Sequence, residues 1–308
     1  MKVKSVKLVP AEQELGYEAV VYNDTDSLYI NHGPHVDVDD DEKSISQLIC
    51  VSDIVQDRLN NFYTVMARRM FNIPTHRLNI KGELVLKTAF WTDMKKRYAM
   101  ILVYELDKRQ YVDHELLIKG MDVVRSSFPA RFAELASEVL RDILMKVPKA
   151  DIDKKLINFK TSMESLEVSE IARNTSIKDL SKYEVPGGPK DINHFKKYTT
   201  AHAKACLIHN RLLALWGLDK KYPPIRDGDK IKYVYLKNNK YNIKLLAFKG
   251  YEDAPQITEF VEEHLDHAGM FDRELKKKIQ KFYDALGWGL ISTEVNQNFD
   301  SLFEVVYK

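Results

Sequence analysis

Hydrophobic and polar positions divide the chain into a short hairpin, a long helix, a β region and a helix-rich remainder. Glu18-Ala-Val-Val-Tyr22 and Leu28-Tyr-Ile30 are short apolar runs. Between them, Asn23-Asp24-Thr25-Asp26-Ser27 has the length of a polar loop joining antiparallel strands. An acidic loop follows from His32 to Glu42. Ser44 with Gln47 reads as a capping box opening a helix. Ile45, Leu48, Val55, Leu59, Phe62, Met66 and Met70 then recur mostly at steps of three and four, which gives that helix one apolar face. Pro74 ends it. Residues 77–119 read as β structure, with Tyr98, Met100, Leu102, Tyr104 and Leu106 on one face of a strand and Ala99, Ile101 and Val103 on the other.

The pattern changes at Ser127. A helix beginning at Ser127-Phe-Pro-Ala carries Phe132, Leu135, Val139, Ile143 and Val147 on one side. A second amphipathic run holds Ile152, Leu156, Phe159 and Met163. Val185-Pro-Gly-Gly-Pro189 is a break, and a helix follows over 199–216. Ile231 to Phe248 reads as a hairpin turning at Asn238-Asn239, and helical patterns return over 257–265 and 272–286. The fold class is therefore α+β, with a mixed N-terminal part and a mostly helical C-terminal part.

Composition narrows the function. The 308 residues suggest two domains. A formal net charge of +2 excludes a histone-like polycation, so any nucleic-acid contact must come from a local patch. Cys50 and Cys206 are the only cysteines, which excludes a disulfide scaffold and a cysteine zinc module. No stretch approaches the roughly 20 apolar residues of a membrane span, and the first residues carry no apolar core of signal-peptide length. The expected setting is reducing and intracellular, with no membrane partner.

Asp24 and Asp26 are the best chemical lead. Residues at i and i+2 of an extended segment point the same way. Two carboxylates so placed repel unless a cation sits between them or one takes a proton. A divalent metal removes that conflict and makes a site for phosphoryl chemistry. As a bare Asp-x-Asp, the pair also reads as a solvated turn. Lys95-Lys96-Arg97-Tyr98 places two ammonium groups, a guanidinium and a ring in one strand region. Such a set can neutralise phosphates and contact base edges, or can be a solvated charge run.

The longer strings decide between these readings. Tyr22-Asn23-Asp24-Thr25-Asp26-Ser27-Leu28-Tyr29 resembles the Tyr-Gly-Asp-Thr-Asp-Ser hairpin of family B DNA polymerases, with Asn23 where that family has Gly. Lys95-Lys96-Arg97-Tyr98 is similar to the Lys-Lys-Arg-Tyr motif that grips the primer–template duplex from the minor groove. Lys119-Gly120-Met-Asp-Val-Val-Arg125-Ser-Ser-Phe-Pro129 resembles the segment at the family's palm-to-thumb junction, where Lys119 and Arg125 would meet the DNA backbone. Ile171-Ala172-Arg173, Lys182 to Gly188 and His202 to Arg211 resemble thumb elements of T-even-type bacteriophage polymerases. Asn298 to Glu304, with Ser301, Leu302 and Phe303, is similar to the terminal peptide that binds the sliding clamp.

The resemblance implies the C-terminal half of an antiparallel palm over 1–118, a mostly helical thumb over 119–296 and a tail over 297–308. It implies Asp24 and Asp26 as catalytic carboxylates holding Mg²⁺. Tyr22, Thr25, Lys95, Lys96, Arg97, Tyr98, Lys119, Arg125 and Arg173 would contact primer–template DNA. The family's Asp-x-x-Ser-Leu-Tyr-Pro palm motif and Lys-x-x-x-Asn-Ser-x-Tyr-Gly fingers motif are absent from the sequence, as is a convincing Asp-x-Glu exonuclease motif. The expectation is one piece of a split bacteriophage polymerase in the host cytoplasm, completed by another chain that carries those motifs. The rival is a non-catalytic DNA-binding or processivity module built on a thumb.

Other clusters carry blander readings. His202, Cys206 and His209 share a helix face, but seven residues rise about 10.5 Å, too far for three ligands to meet on one ion. His32, His35, Asp37 and Asp39 read as an acidic surface loop. Tyr233, Tyr235 and Tyr241 read as packing residues of strands, and Lys276-Lys-Lys278 as a solvated helix face.

Overall fold

The computed structural model describes residues 19–33, 36–37, 41–92 and 94–292. These fall into two compact units that divide between Gly120 and Met121. The mixture of helices and antiparallel sheets is α+β.

The first unit opens with strands β1 (Val20–Asp24) and β2 (Ser27–Ile30), an antiparallel pair. Helix α1 (Asp41–Phe71) has Asp41 and Glu42 in its first turn and Arg68 and Arg69 in its last, each sign complementing the helix dipole. It begins three residues before Ser44, so the expected capping box is not its start. Ser44 Oγ donates to the Asp41 carbonyl inside the first turn, and Gln47 Oε1 accepts from the Asp37 amide instead. Strands β3 (Leu84–Trp91), β4 (Tyr98–Glu105) and β5 (Gln110–Lys119) form an antiparallel sheet in that order. Residues 77–83, expected as β structure, lie outside it. The apolar residues on both faces of β4 are buried from Ala99 to Tyr104, as a central strand covered on two sides requires.

In the second unit, prolines mark three of the helix starts. Pro129 precedes α2 (Ala130–Leu144), Pro148 precedes α3 (Lys149–Ser162), and Pro255 opens a later helix over Pro255–His264. The one-turn helix α4 (Val168–Ile171) carries a capping box of Glu167 and Glu170. Strand β6 (Arg173–Ser176) pairs with β7 (Lys230–Tyr235), which pairs with β8 (Leu245–Phe248). Between β6 and β7 runs α5 (Ala201–Leu215), which buries Ala203, Cys206 and Leu207 in a cluster with Ile231, Tyr233 and Ala247 of the sheet. The chain then forms α6 (Pro255–His264), α7 (His267–Met270), a π-helical turn over Phe271–Lys276, and α8 (Lys277–Leu286). Gly287, at φ 68°, closes α8 in the left-handed conformation. Phe132, Ile152, Leu156, Met163, Phe271 and Tyr283 are fully buried in this unit.

The β7–β8 hairpin forms as expected, but residues 236–244 connect its strands, a longer loop than a turn at Asn238-Asn239, and Asn239 organises it. Its Oδ1 accepts from the amides of Tyr241 and Ile243, and its Nδ2 donates to the carbonyls of Lys237 and Ile243. Tyr233 is buried, which agrees with a packing role, and Tyr241 Oη accepts from Trp216 Nε1. No helix among the described residues is long and apolar enough to cross a membrane.

Candidate active site

The carboxylates sit at a tighter turn than the five-residue polar stretch suggests. Asp24 pairs directly with Ser27, which leaves Thr25 and Asp26 as the two loop residues. Thr25 adopts φ 57°, the left-handed conformation that two-residue hairpin loops demand. The Asp26 amide donates to the Asp24 carbonyl at 2.7 Å, and Ser27 Oγ donates to the same carbonyl at 3.1 Å. Thr25 Oγ1 donates to Asp24 Oδ1 at 3.2 Å. Strand alternation therefore stops at Thr25, and the environments of the two acids differ. Asp24 is half-buried and faces Lys96 Nζ at 3.3 Å. Asp26 is exposed and lines a cleft of about 990 Å³ walled by the hairpin, α1 and β3.

Lys96 brings the second motif to the first. Its backbone turns at φ 62°, and its amide donates to Tyr22 Oη at 3.3 Å. One basic residue thus touches the hairpin twice, by side chain and by backbone. Beneath it, Tyr22, Tyr29, Trp91 and Tyr98 form an aromatic box with ring centroids 5.6 to 6.3 Å apart. Aromatic pairs at such spacing add about 0.5–1.5 kcal/mol each beyond simple burial. Tyr29 Oη donates to Tyr98 Oη at 3.3 Å. Burial foremost, then that bond, pushes the Tyr29 hydroxyl well above the ordinary tyrosine range, so it remains a donor. The box ties the hairpin to β3 and β4, and it includes the tyrosine of the basic motif.

A third motif meets the same point. Gly120 adopts φ 64°, and a Cβ there would lie 2.0 Å from the Lys96 carbonyl oxygen. Only glycine lets the end of β5 pass this close to the Lys95–Arg97 turn. The turn is closed by the Thr92 amide, which donates to the Arg97 carbonyl at 3.1 Å. Lys95, Lys96 and Lys119 are exposed, and Lys119 lies opposite Tyr98 in the β4–β5 register. The first unit thus gathers Tyr22, Asp24, Thr25, Asp26, Lys95, Lys96, Arg97, Tyr98 and Lys119 about one end of its strands.

Arg125 and Arg173 belong to the second unit. Arg125 is exposed, with Nε 3.3 Å from Asp122 Oδ1. Arg173 is half-buried and ion-paired to Glu274 at 3.1 Å. One sequence reading changes in part in this unit. In the lysine run read as a solvated helix face, Lys277 is exposed as expected, whereas Lys278 is half-buried with Nζ 2.6 Å from Asp122 Oδ2, and both line a cavity with Arg173. Arg273, from the π-helical turn, lies over the Tyr235 ring at 4.5 Å and joins the same cavity, a role that its sequence neighbours gave no sign of. His209 is buried and bonded through Nδ1 to the Ala247 carbonyl, and burial pushes the Cys206 thiol up to about 12. Neither residue is placed as a metal ligand.

Two carboxylates offer the hard oxygen donors that Mg²⁺ prefers, and in this structure Asp24 is paired with the Lys96 ammonium. No group of three or more metal-ligating side chains occurs among the described residues. A Mg²⁺ site at this tip would therefore need ligands beyond the two acids. Ser301, Leu302 and Phe303, like His35 and Asp39, lie outside the described residues.

A family model described as DNA polymerase family B matches residues 2–285. A DNA-directed DNA polymerase of Enterobacteria phage T4 is 27% identical over 216 residues, covering 70% of this chain and 22% of the relative. A DNA-directed DNA polymerase of Escherichia phage RB69 is 23% identical over 286 residues, covering 88% of this chain and 30% of the relative. The chain thus spans less than a third of the length of either.

Proposed function

The chain belongs to DNA polymerase family B, and we propose that it supplies one side of the metal site and the primer–template grip of a DNA-directed DNA polymerase. The reaction is attack of a primer 3′-hydroxyl on the α-phosphate of a deoxynucleoside triphosphate, with pyrophosphate leaving. In this reading residues 1–118 are the C-terminal half of the palm, 119–296 the thumb, and 297–308 a tail that binds a sliding clamp through Ser301, Leu302 and Phe303.

The observation that carries the proposal is the meeting of two motifs some seventy residues apart. Lys96 contacts both Asp24 and Tyr22, and Tyr98 packs against Tyr22 and Tyr29. A carboxylate hairpin rigidly tied to a basic strand turn is what a site needs to hold a primer end beside a triphosphate. Asp26, exposed at the turn, is the direct Mg²⁺ ligand, and Asp24 is the second or supporting carboxylate. When bound, Mg²⁺ supplies the positive charge that offsets the triphosphate and the reacting oxygens. Lys95, Lys96, Arg97, Lys119, Arg125 and Arg173 neutralise phosphates of the duplex. Tyr22, Thr25 and Tyr98 shape the surface beside the primer end.

The absent palm and fingers motifs supply the remaining metal ligand and the triphosphate clamp. They reside on a partner chain or on further polymerase sequence joined to this one. The test is primer extension by the assembled polymerase. Asp26→Ala should abolish extension while leaving duplex affinity within a few-fold of native. Undiminished extension would refute the catalytic role, and would favour the non-catalytic module.

A further inference from the structure

The second unit holds a cavity of about 520 Å³ lined by Arg173, Tyr235, Arg273, Glu274, Lys277, Lys278 and Lys281. Five of these seven residues are cationic, and Glu274 is the one carboxylate among them. Its position is unusual for an acid, with only 3% of its surface exposed. A buried carboxylate is retained at a large desolvation cost unless it is paired. Here Glu274 Oε2 accepts from Arg173 Nη1 at 3.1 Å.

The partners come from different elements. Arg173 begins β6 and sits opposite Tyr233 of β7. Glu274 lies in the π-helical turn before α8. Extra-residue turns of this kind re-aim side chains that a regular helix would point elsewhere. In this turn, Arg273 lies over the Tyr235 ring while Glu274 reaches the sheet. The charges are felt locally. Burial first, and then the Glu274 charge, raises the Tyr235 hydroxyl, while burial and the Arg173 charge lower the His202 imidazole. The Arg173–Glu274 ion pair thus ties the sheet to the π-helical turn that precedes Lys277, Lys278 and Lys281.

We infer that Glu274 is a positioning residue: by holding Arg173 against the π-helical turn, it fixes the cation cluster that meets the phosphodiester backbone of the duplex. This rests on the proposed duplex grip. An anion-binding cluster with a buried acid at its base poses a choice of sign. If Glu274 merely opposes the ligand's charge, removing it tightens DNA binding. If it positions Arg173, removing it loosens binding even though the net charge becomes more positive.

The test is equilibrium binding of a fluorescent primer–template duplex to the full chain over a range of salt. Glu274→Met, which removes both charge and acceptor, should weaken binding about fivefold, the loss of one ordered phosphate contact. Arg173→Gln should weaken it similarly and flatten the slope of log affinity against log salt by about 0.9. The double variant should be no weaker than either single one. Glu274→Gln keeps an acceptor in place and should bind at native strength or tighter. Binding by Glu274→Met as tight as native, or tighter, overturns the inference. Should Glu274→Met fail to fold, unchanged affinity and salt slope in Arg173→Gln overturns it equally. Failure of the native chain to bind duplex would overturn the proposed grip itself, and this inference with it.

Discussion

Gly120 offers the sharpest test of how the site is assembled. Gly120→Ala adds one methyl group at a backbone with φ 64°. A side chain in the left-handed conformation costs about 1 kcal/mol or somewhat more relative to glycine. The new Cβ would stand 2.0 Å from the Lys96 carbonyl oxygen, a backbone atom that moves only with its turn. Relief needs a shift of about 1 Å, which strains the Thr92 to Arg97 bond and the Lys96 to Tyr22 bond. Hydrogen bonds of this kind contribute about 1 kcal/mol each. The expected total is about 2–3 kcal/mol. Gly217→Ala is the matched control, because Gly217 has φ 67° and nothing within 4 Å of the added atom. It should cost only the conformational share. Urea unfolding followed by tryptophan fluorescence measures both, since Trp91 lies in the box beside the Gly120 turn and Trp216 adjoins Gly217 in the second unit. Gly120→Ala should also weaken duplex binding, because the displaced turn carries Lys95 and Lys96. A Gly120→Ala protein no less stable than Gly217→Ala would refute the close approach on which this reasoning depends.

Further outcomes follow from the same geometry. Tyr22→Phe removes the hydroxyl that accepts from the Lys96 amide, and should cost about 1 kcal/mol in unfolding and slow primer extension by the assembled polymerase. Burial, aided by the Lys249 charge and opposed by the Ala247 bond, holds the His209 imidazole below its usual 6.5, and His202 and His267 shift the same way. The unfolded chain therefore binds more protons than the native one just below pH 6.5, so stability should fall as pH drops from that value. Thermal melts of His209→Gln should show a shallower decline over this window. The cleft beside Asp26 and the exposed Ile54, Phe62, Met70 and Phe71 of α1 form apolar surface. The chain alone should self-associate in light scattering, and Phe62→Lys should reduce that. Monomeric behaviour of the native chain would contradict this expectation.

Much of the site was legible because its motifs are local. The carboxylate string lies on one hairpin, and the basic string lies at one strand turn. What joins them was not legible. Nothing in the spacing says that the Lys96 amide finds Tyr22, or that Gly120 is small because the Lys96 carbonyl lies against it. Those are contacts between segments, set by sheet register and turn conformation. The direction of the two acids also escaped strand alternation, because one left-handed residue, Thr25, converts the tip into a turn. Strand β6 was missed since Arg-Asn-Thr-Ser carries no apolar alternation. It is recognisable only by its pairing with β7. Lys278, half-buried against Asp122, read as solvent-facing because a lysine run looks the same on any helix. The π-helical turn before it, which sequence periodicity does not reveal, brings Arg273 and Glu274 beside it.

The central claim is that the hairpin tip forms one side of a Mg²⁺ site. The most direct measurement is anomalous scattering from Mn²⁺ soaked into crystals of the assembled polymerase with primer–template DNA and a deoxynucleoside triphosphate. A peak within ligand distance of an Asp26 carboxylate oxygen is the predicted result, and bound DNA and triphosphate with no cation at Asp26 or Asp24 would contradict it.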